Sequence, residues 1–598
     1  MQKNNDDYKK FTRRAFVLGS IKLSIFPILV GRLYYLQILN NRKYDKLSDN
    51  NRIQIRYLKP KRGKICDSKG VPIAYEKPSY QCVIYPKIIN KNKSILEKVE
   101  KILSMSNEEK EKLHSQLDSL YLPKEIIIKD KISFDEVIKI ESISANNEGV
   151  RVEKGFRRNY DFSKSFCHCV GYVGISSDSS DISSKLVKNF KVGKSGVERV
   201  RDEKLRGNFG IREVEVNAKG QNIKVISEQK SLNGDDIKLN INHNLQEYIY
   251  ERLKDYISAT AIVMDSKNGN IHSMVSFPGF DSNIMTHGLS HKQWNDIITD
   301  PGKPLHNKAI SGLYPPGSVI KMIVMISALK QGIINHNTRF HCSGHLDVGS
   351  QRFHCWNRYG HGTVSIKRAI IESCDVYFYE IAKRINMSKL ASDFKIFGFG
   401  SLSGIDLMGE SKGVVPDKTW KEMVMGKSWN MGETINTCIG QGYFLVTPIQ
   451  ICNMMVGLLN PKKFFSPTIV KDSNNFYEKH IDNINHKDIE YMKPLMDKVF
   501  DKNYKRNVMD MPIDFSMGGK TGTAQVRRIK KKDRKNNAHK LWKWKSRDHS
   551  IFTGYSPVKN PRFVATVIVE HGGWGSKVAA PLGRDILIKA HEIIGDKS

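Results

Sequence analysis

The sequence contains no clean apolar run long enough to cross a bilayer unaided. A spanning helix needs roughly 20 consecutive, mostly apolar residues. The nearest approach is residues 15–39, AFVLGSIKLSIFPILVGRLYYLQIL, which Lys22 and Arg32 interrupt. No small-x-small site follows it, which argues against a cleaved signal peptide. Acidic residues are few beside basic ones, 62 against 96, and the net charge is +34. There is no RNA-binding fingerprint, zinc-finger spacing or helix-turn-helix, so no nucleic-acid partner is expected. A membrane surface, an anionic polymer or a solvated Lys/Asn-rich surface fits the charge equally well. The nine cysteines are an odd, scattered set, which excludes a small disulfide scaffold. Internal repeats are absent.

With 598 residues the chain exceeds one core, and about 100–200 residues per domain implies two to four domains. Lys9, Lys10, Arg13 and Arg14 precede the apolar stretch. Basic residues before a span favour a cytoplasmic start. Lys22 and Arg32 can snorkel, and Tyr34 and Tyr35 suit an interface. The expectation is a cytoplasmic tail over 1–14, an uncleaved transmembrane helix over 15–39, and the rest outside. A polar connector covers 40–55. KPKRGKICDSKGVPIAYE, 59–76, reads as strand, turn, strand. Charged helical patterns fill 92–150, and a mixed stretch continues to about residue 230. The span 40–236 carries no catalytic constellation and reads as an extended pedestal.

From residue 237 the texture changes. IKLNINHNLQEYIYERL is a strand entering a helix, and SATAIVMDSKNGNIHSMVS is two strands around a turn at Lys267-Asn268-Gly269. Three strands, FSMGGKTGTAQV, HSIFTGYSPV and RFVATVIVEHG, and a closing helix, APLGRDILIKAHEII, lie near the end. Strands at both ends with helices between predict an α+β domain over 237–598, its sheet built from both ends. The piece RRIKKKDRKNN, 527–537, reads as a solvated basic loop.

The chemistry begins at YPPGSVIK, 314–321. Two prolines and a glycine halt the chain before an apolar helix that carries Lys321. Ser318 and Lys321 are i and i+3, neighbours on one helix face. A serine hydroxyl needs a base to become a nucleophile, and a lysine amine can be that base when its environment favours the free amine. The helix start also suits a developing oxyanion. SCDVYFYEIA, 373–382, adds Ser373 and Asp375 at another helix start. GGKTGTAQ, 518–525, adds Lys520, Thr521, Gly522 and Thr523 on a strand whose glycines admit a ligand closely. In order and kind these resemble SxxK, Ser-Asp-Asn and Lys-Thr-Gly, the signature of serine β-lactamases and penicillin-binding proteins, with Ser-x-Asp here as the second motif.

The sequence resembles the class B penicillin-binding proteins, and within them the elongation-type branch, penicillin-binding protein 2. RGKICDSKGVPIA, HCVGYVG and GKSGVERVRDEKLRG resemble the family's pedestal motifs. SFPGFDSN, PLHNKAISGLYPPGSVIK, SCDVYFYE, IGQGYFLVTPIQ, GGKTGTAQ and VEHGGWGSKVAAP follow in family order. Many relatives have Ser-x-Asn where this chain has Ser373-Cys374-Asp375, and the aspartate resembles the penicillin-binding protein 2 branch over division-type penicillin-binding protein 3.

The resemblance implies a D,D-transpeptidase that cross-links peptidoglycan stem peptides through a serine acyl-enzyme and is captured by β-lactams. Ser318 would be the nucleophile, Lys321 its base and Ser373 a proton relay beside Asp375. Lys520, Thr521 and Thr523 would hold the terminal carboxylate. The amides of Ser318 and Thr523 would form the oxyanion hole. It also implies an inner-membrane protein with a periplasmic catalytic domain and a membrane-embedded glycan polymerase as partner. No organic cofactor is expected. A β-lactamase reading lacks a deacylating base, and a non-enzymatic scaffold would not need all three motifs.

Cys342, Cys355, His361 and Cys374 lie within 33 residues. Three Cys and one His suit zinc, but spacings of 13, 6 and 13 fit no compact ribbon. Spacing alone favours a Cys342–Cys355 disulfide, which an oxidising periplasm permits. The resemblance implies Zn2+ here, bracing the loop beside Ser373, with His345 and His354 as spare ligands.

Overall fold

The computed structural model describes residues 16–20, 23, 26–39, 53–89, 93–118, 125–145, 147, 149–176, 190–216, 222–471, 478–480, 484–501, 512, 515–527 and 543–595. The expected tail 1–14, most of the connector 40–55 and the basic loop past Arg527 lie outside them. In the expected anchor, described helical residues run over 16–20 and 26–34, and Tyr35–Leu39 is a π-helical turn. Phe16, Leu23, Phe26 and Ile28 are exposed. Among the described residues no helix is long and apolar enough to cross a membrane. The expected span 15–39 includes residues outside the described ones, and its described residues are helical.

The chain divides into two compact units, Met1–Lys61 with Gly207–Gly234, and Arg62–Arg206 with Asp235–Ser598. The smaller holds a three-stranded antiparallel sheet in the order Ile53–Leu58, Gly210–Val216, Asn222–Gln229. Ile223, Val225 and Ile226 of its last strand are exposed.

In the larger unit, Pro72–Ile84 pairs antiparallel with Val150–Tyr160, from Ala74 opposite Tyr160 to Ile84 opposite Val150. Helices Asn107–Leu117 and Phe134–Ser144 each open on a capping box, Ser106 with Glu109 and Ser133 with Glu136. These reciprocal bonds satisfy two otherwise unpaired amides per helix. Two motifs of the sequence meet here. Glu198 of GVER is fully buried and accepts from Arg62 Nε of RGK at 2.7 Å, Arg158 Nε at 2.7 Å and Tyr160 OH at 3.2 Å. A buried carboxylate is tolerable only with such partners.

The carboxy-terminal part begins with α1 (His243–Leu253), β1 (Ala259–Asp265) and β2 (Ile271–Phe277). A 3-10 turn, Gly317–Ile320, leads into α2 (Lys321–Lys330). Two short ladders follow, β3 (Arg339–Cys342) with β6 (Gly362–Ser365), and β4 (His345–Val348) with β5 (Gln351–His354). Then come α3 (Ile366–Ile371), α4 (Asp375–Ala382), α5 (Met431–Cys438) and α6 (Pro448–Leu459). β7 (Gly518–Ala524), β8 (His549–Ser556), β9 (Phe563–Val569) and α7 (Ala579–Ile594) close the chain.

The five-stranded sheet has the order β2-β1-β9-β8-β7, all antiparallel. Both ends of this part therefore build one sheet, as its strand pattern predicts. Alternation places Ala259, Ala261 and Val263 of β1 in one core with α1 and α7. Ile262 and Met264 enter the other core with α2 and α6. A strand covered on both faces reads as a continuous apolar run, which is what ATAIVMD is. α2 is buried from Lys321 to Ala328, so its amphipathic signal is weak and its lysine lies inside.

Candidate active site

Pro315 and Pro316 end the preceding segment, and Gly317 turns the chain at φ +58°. A Cβ on Gly317 would lie 2.9 Å from Thr523 O and 3.2 Å from Thr523 N. One on Gly440 would lie 2.2 Å from Gly317 O, and Gly317 N donates to Gly440 O at 2.8 Å. Glycine is required at both, because the backbones of YPPGSVIK, IGQG and KTGT touch. β7 is the sheet's edge strand, paired only with β8, and its free edge meets Gly317.

Ser318 is half-buried in the 3-10 turn, rather than in the α-helix proper, and Lys321 is fully buried. In a 3-10 turn residues i and i+3 eclipse, which keeps the two together. Lys321 Nζ donates to Asp375 Oδ1 at 2.7 Å, Ser373 O at 3.1 Å and Ser373 Oγ at 3.3 Å. It also sits 4.9 Å from the centre of the Phe378 ring. Ser373 holds a left-handed φ of +53°, a costly conformation that packing must enforce. Asp375 uses its second oxygen to accept from Trp356 N at 3.0 Å. Both carboxylate oxygens thus accept, a pattern an asparagine could not reproduce.

Lys520 is also buried, and its Nζ donates to Thr521 O at 3.3 Å. Burial, then the charge of Lys321, push its amine down to about 7, against the pull of Asp375. Thr521 contributes through its carbonyl. Gly522 packs on Pro316 O, at 3.0 Å from a notional Cβ. Thr523 O accepts from Gln441 Nε2 at 2.9 Å, and Thr523 Oγ1 accepts from Gly575 N at 3.2 Å. All three motifs therefore converge, with Lys321 tying the first to the second. The arrangement supplies a serine hydroxyl, buried amines and an open strand edge, the parts that acyl transfer needs.

Sequence reasoning assigned no role to Gly440, Gln441, Trp356 or Gly575. The one signal was the family-like order of IGQGYFLVTPIQ and VEHGGWGSKVAAP, which names segments without saying which atoms they use.

The four candidate metal ligands also converge. The Sγ atoms of Cys342, Cys355 and Cys374 and a ring nitrogen of His361 all lie within 4.8 Å of one another, and all four residues are buried. His361 Nδ1 is 3.5 Å from both Cys342 Sγ and Cys355 Sγ. Strand pairing explains what spacing could not. β3 against β6 sets Cys342 opposite Gly362, while β4 against β5 returns the chain to Cys355. All nine cysteines are free thiols, so the Cys342–Cys355 disulfide is not formed. The Cys374 hydrogen bond, followed by that of His361, holds the Cys355 thiol below its usual range against the effect of burial. Three sulfurs and one imidazole, buried together, fit tetrahedral zinc. His345 and His354 face each other across the β4–β5 ladder and are not in this cluster.

A fold with this sheet, and a site with these motifs on it, define a serine acyl-transfer protein of the penicillin-interacting class. The family model for the penicillin-binding protein transpeptidase domain matches residues 259–588, and that for the penicillin-binding protein dimerisation domain matches 57–239. The chain belongs to the penicillin-binding protein family, as a serine-type D,D-transpeptidase of the penicillin-binding protein 2 kind. It is 31% identical to the peptidoglycan D,D-transpeptidase MrdA of Escherichia coli K12, over 98% of this chain and 95% of that one. The MrdA protein of Haemophilus influenzae is 30% identical over 96% and 91%. Among solved structures, penicillin-binding protein 2 of Helicobacter pylori in complex with MreC superposes with a TM-score of 0.79. That match has 28% identity and covers 90% of this chain and 99% of that one.

Proposed function

We propose that the elongation-type D,D-transpeptidase reaction of this chain runs on Ser318. The observation that carries this reading is Lys321 Nζ, fully buried three residues after Ser318 and bonded to both Ser373 and Asp375. In its free-amine form Lys321 takes the Ser318 proton. Oγ attacks the carbonyl of the penultimate D-Ala of a stem peptide, and the amides of Ser318 and Thr523 hold the oxyanion. The proton returns through Ser373 Oγ to the leaving D-Ala nitrogen as the peptide C–N bond breaks. A second stem's amine then attacks the acyl-enzyme, loses a proton to the same relay, and releases Ser318. Lys520, Thr521 and Thr523 hold the terminal carboxylate, and a β-lactam carboxylate takes the same place. The test is incubation of detergent-solubilised protein with fluorescent penicillin, followed by peptide mapping. A stable adduct on Ser318 is expected. Rapid drug turnover, or an adduct on another serine, would overturn the reading.

The Lys520 amine gives a pH dependence. Titrating near 7, it is cationic below that pH and neutral above it. The drug carboxylate stays ionised throughout. Weaker pre-covalent binding is therefore expected as pH rises, with the dissociation constant increasing about tenfold from pH 6 to 8. Stopped-flow acylation measures it, and Lys520→Met should flatten the curve.

In the same reading the domains are a tail over 1–14, an anchor over 15–39, a pedestal over 40–236 and a transpeptidase domain over 237–598. The anchor sits in a bacterial inner membrane with the catalytic domain in the periplasm, supported by the basic residues ahead of residues 15–39. The partners are an elongation complex and its membrane-embedded glycan polymerase. Cys342, Cys355, His361 and Cys374 hold a structural zinc that braces the Ser373–Asp375 turn. Anaerobically purified protein is expected to carry about one equivalent of zinc, falling sharply in Cys342→Ser. Under a tenth of an equivalent in the unmodified protein would refute the metal.

A further inference from the structure

The segment 571–575, HGGWG, crosses the end of β7 and is fastened by an unusual set of contacts. Gly575 packs so closely that a Cβ would lie 2.2 Å from Gly522 O. Its N–H donates to Thr523 Oγ1 at 3.2 Å. A hydroxyl that accepts from a fixed amide keeps its own proton to donate, which is what a bound carboxylate requires. Gly573 N donates to Asp548 O at 2.8 Å, and Ser550 Oγ to Trp574 O at 3.2 Å. At the segment's start His571 takes φ +55°, rare for a side-chain-bearing residue. Two contacts hold it there. His571 Nδ1 donates to Arg547 O at 2.8 Å, and His571 N donates to His549 Nδ1 at 3.1 Å. The two imidazoles lie 4.5 Å apart, and the Tyr314 ring packs on His549 at 5.4 Å. Tyr314 in turn donates to Glu570 Oε1 at 2.8 Å, so this latch joins the YPPGSVIK segment to the end of β9.

We propose that His549 is a positioning residue for the transpeptidase site: its unprotonated Nδ1 latches the 571–575 segment, which orients the Thr523 hydroxyl toward the carboxylate of substrate or β-lactam. Accepting the His571 amide requires a bare Nδ1, so His549 carries its proton on Nε2. Burial, then His571, hold its ring down at about 4, which keeps it in that neutral form through the working pH range. The inference rests on Thr523 holding the carboxylate.

The experiment measures the full-length protein in detergent with a fluorescent penicillin. Stopped-flow kinetics separate the dissociation constant of the first complex from the acylation rate constant. His549→Leu removes the acceptor. Its dissociation constant is expected to rise about fivefold, the worth of one lost hydrogen bond, with the acylation constant unchanged. His549→Asn places an amide oxygen where Nδ1 stood and should restore tight binding. Thr523→Val is the reference and should weaken binding at least as much. Weakening in Thr523→Val with none in His549→Leu would overturn the latch alone. No weakening in either would overturn the reading of Thr523 beneath it. Equal losses in His549→Leu and His549→Asn, or a loss confined to the acylation constant, would make His549 merely structural and also overturn the proposal.

Discussion

Ser318→Ala is expected to leave no covalent penicillin on the protein while the protein stays folded. The change removes one oxygen from a half-buried position in the 3-10 turn. Among the described residues the Ser318 side chain makes no hydrogen bond that the fold would lose. A substitution of this kind shifts stability by no more than about 0.5 kcal/mol. The chemistry loses everything, because the acyl bond is made to that oxygen. The other hydroxyls of the motifs, Ser373, Thr521 and Thr523, do not replace it. Ser373 Oγ already faces Lys321 Nζ at 3.3 Å, on a backbone held at φ +53°. Thr523 Oγ1 takes the Gly575 amide. Gel fluorescence after denaturation measures the adduct, and the unfolding temperature checks the fold. A persistent label in folded Ser318→Ala would remove Ser318 from its role.

The parts of this site that were legible in the sequence are those whose spacing is local. Ser318 and Lys321 are one turn apart, and their neighbourhood follows from helix geometry alone. The two strands β1 and β2 and the turn between them were equally plain. What was not legible depends on pairs distant along the chain. Gly317 and Gly440 meet 123 residues apart: Gly440 leaves no room for a Cβ against the Gly317 backbone, and Gly317 leaves none against Thr523. The Cys342 cluster carries a spacing that suggests no metal, yet two antiparallel ladders fold it shut. Ser373 gives no sign in SCD that its backbone will be left-handed. That conformation arises where α3 ends and α4 begins with Cys374 as its N-cap.

Lys321→Ala should lower the acylation rate by about 10² to 10⁴, the usual cost of losing a positioned general base. That single variant is ambiguous. The lysine is fully buried, and its amine is the partner of Asp375 Oδ1 at 2.7 Å. Removing one member of a buried ion pair strands the other, at a cost of about 3–5 kcal/mol. Some lost activity could then reflect a disturbed turn at Ser373. The double variant Lys321→Ala/Asp375→Asn separates the two effects. An asparagine needs no cation, and it gives the chain the Ser-x-Asn form of many relatives. Its stability is expected to recover most of the loss, since no unpaired carboxylate remains. Its acylation rate is expected to stay down by the same factor, since no base has been restored. If activity recovered together with stability, the lysine would be a counter-ion that holds Ser373 in place. If stability recovered and activity did not, the amine buried three residues after Ser318 is the group that takes its proton.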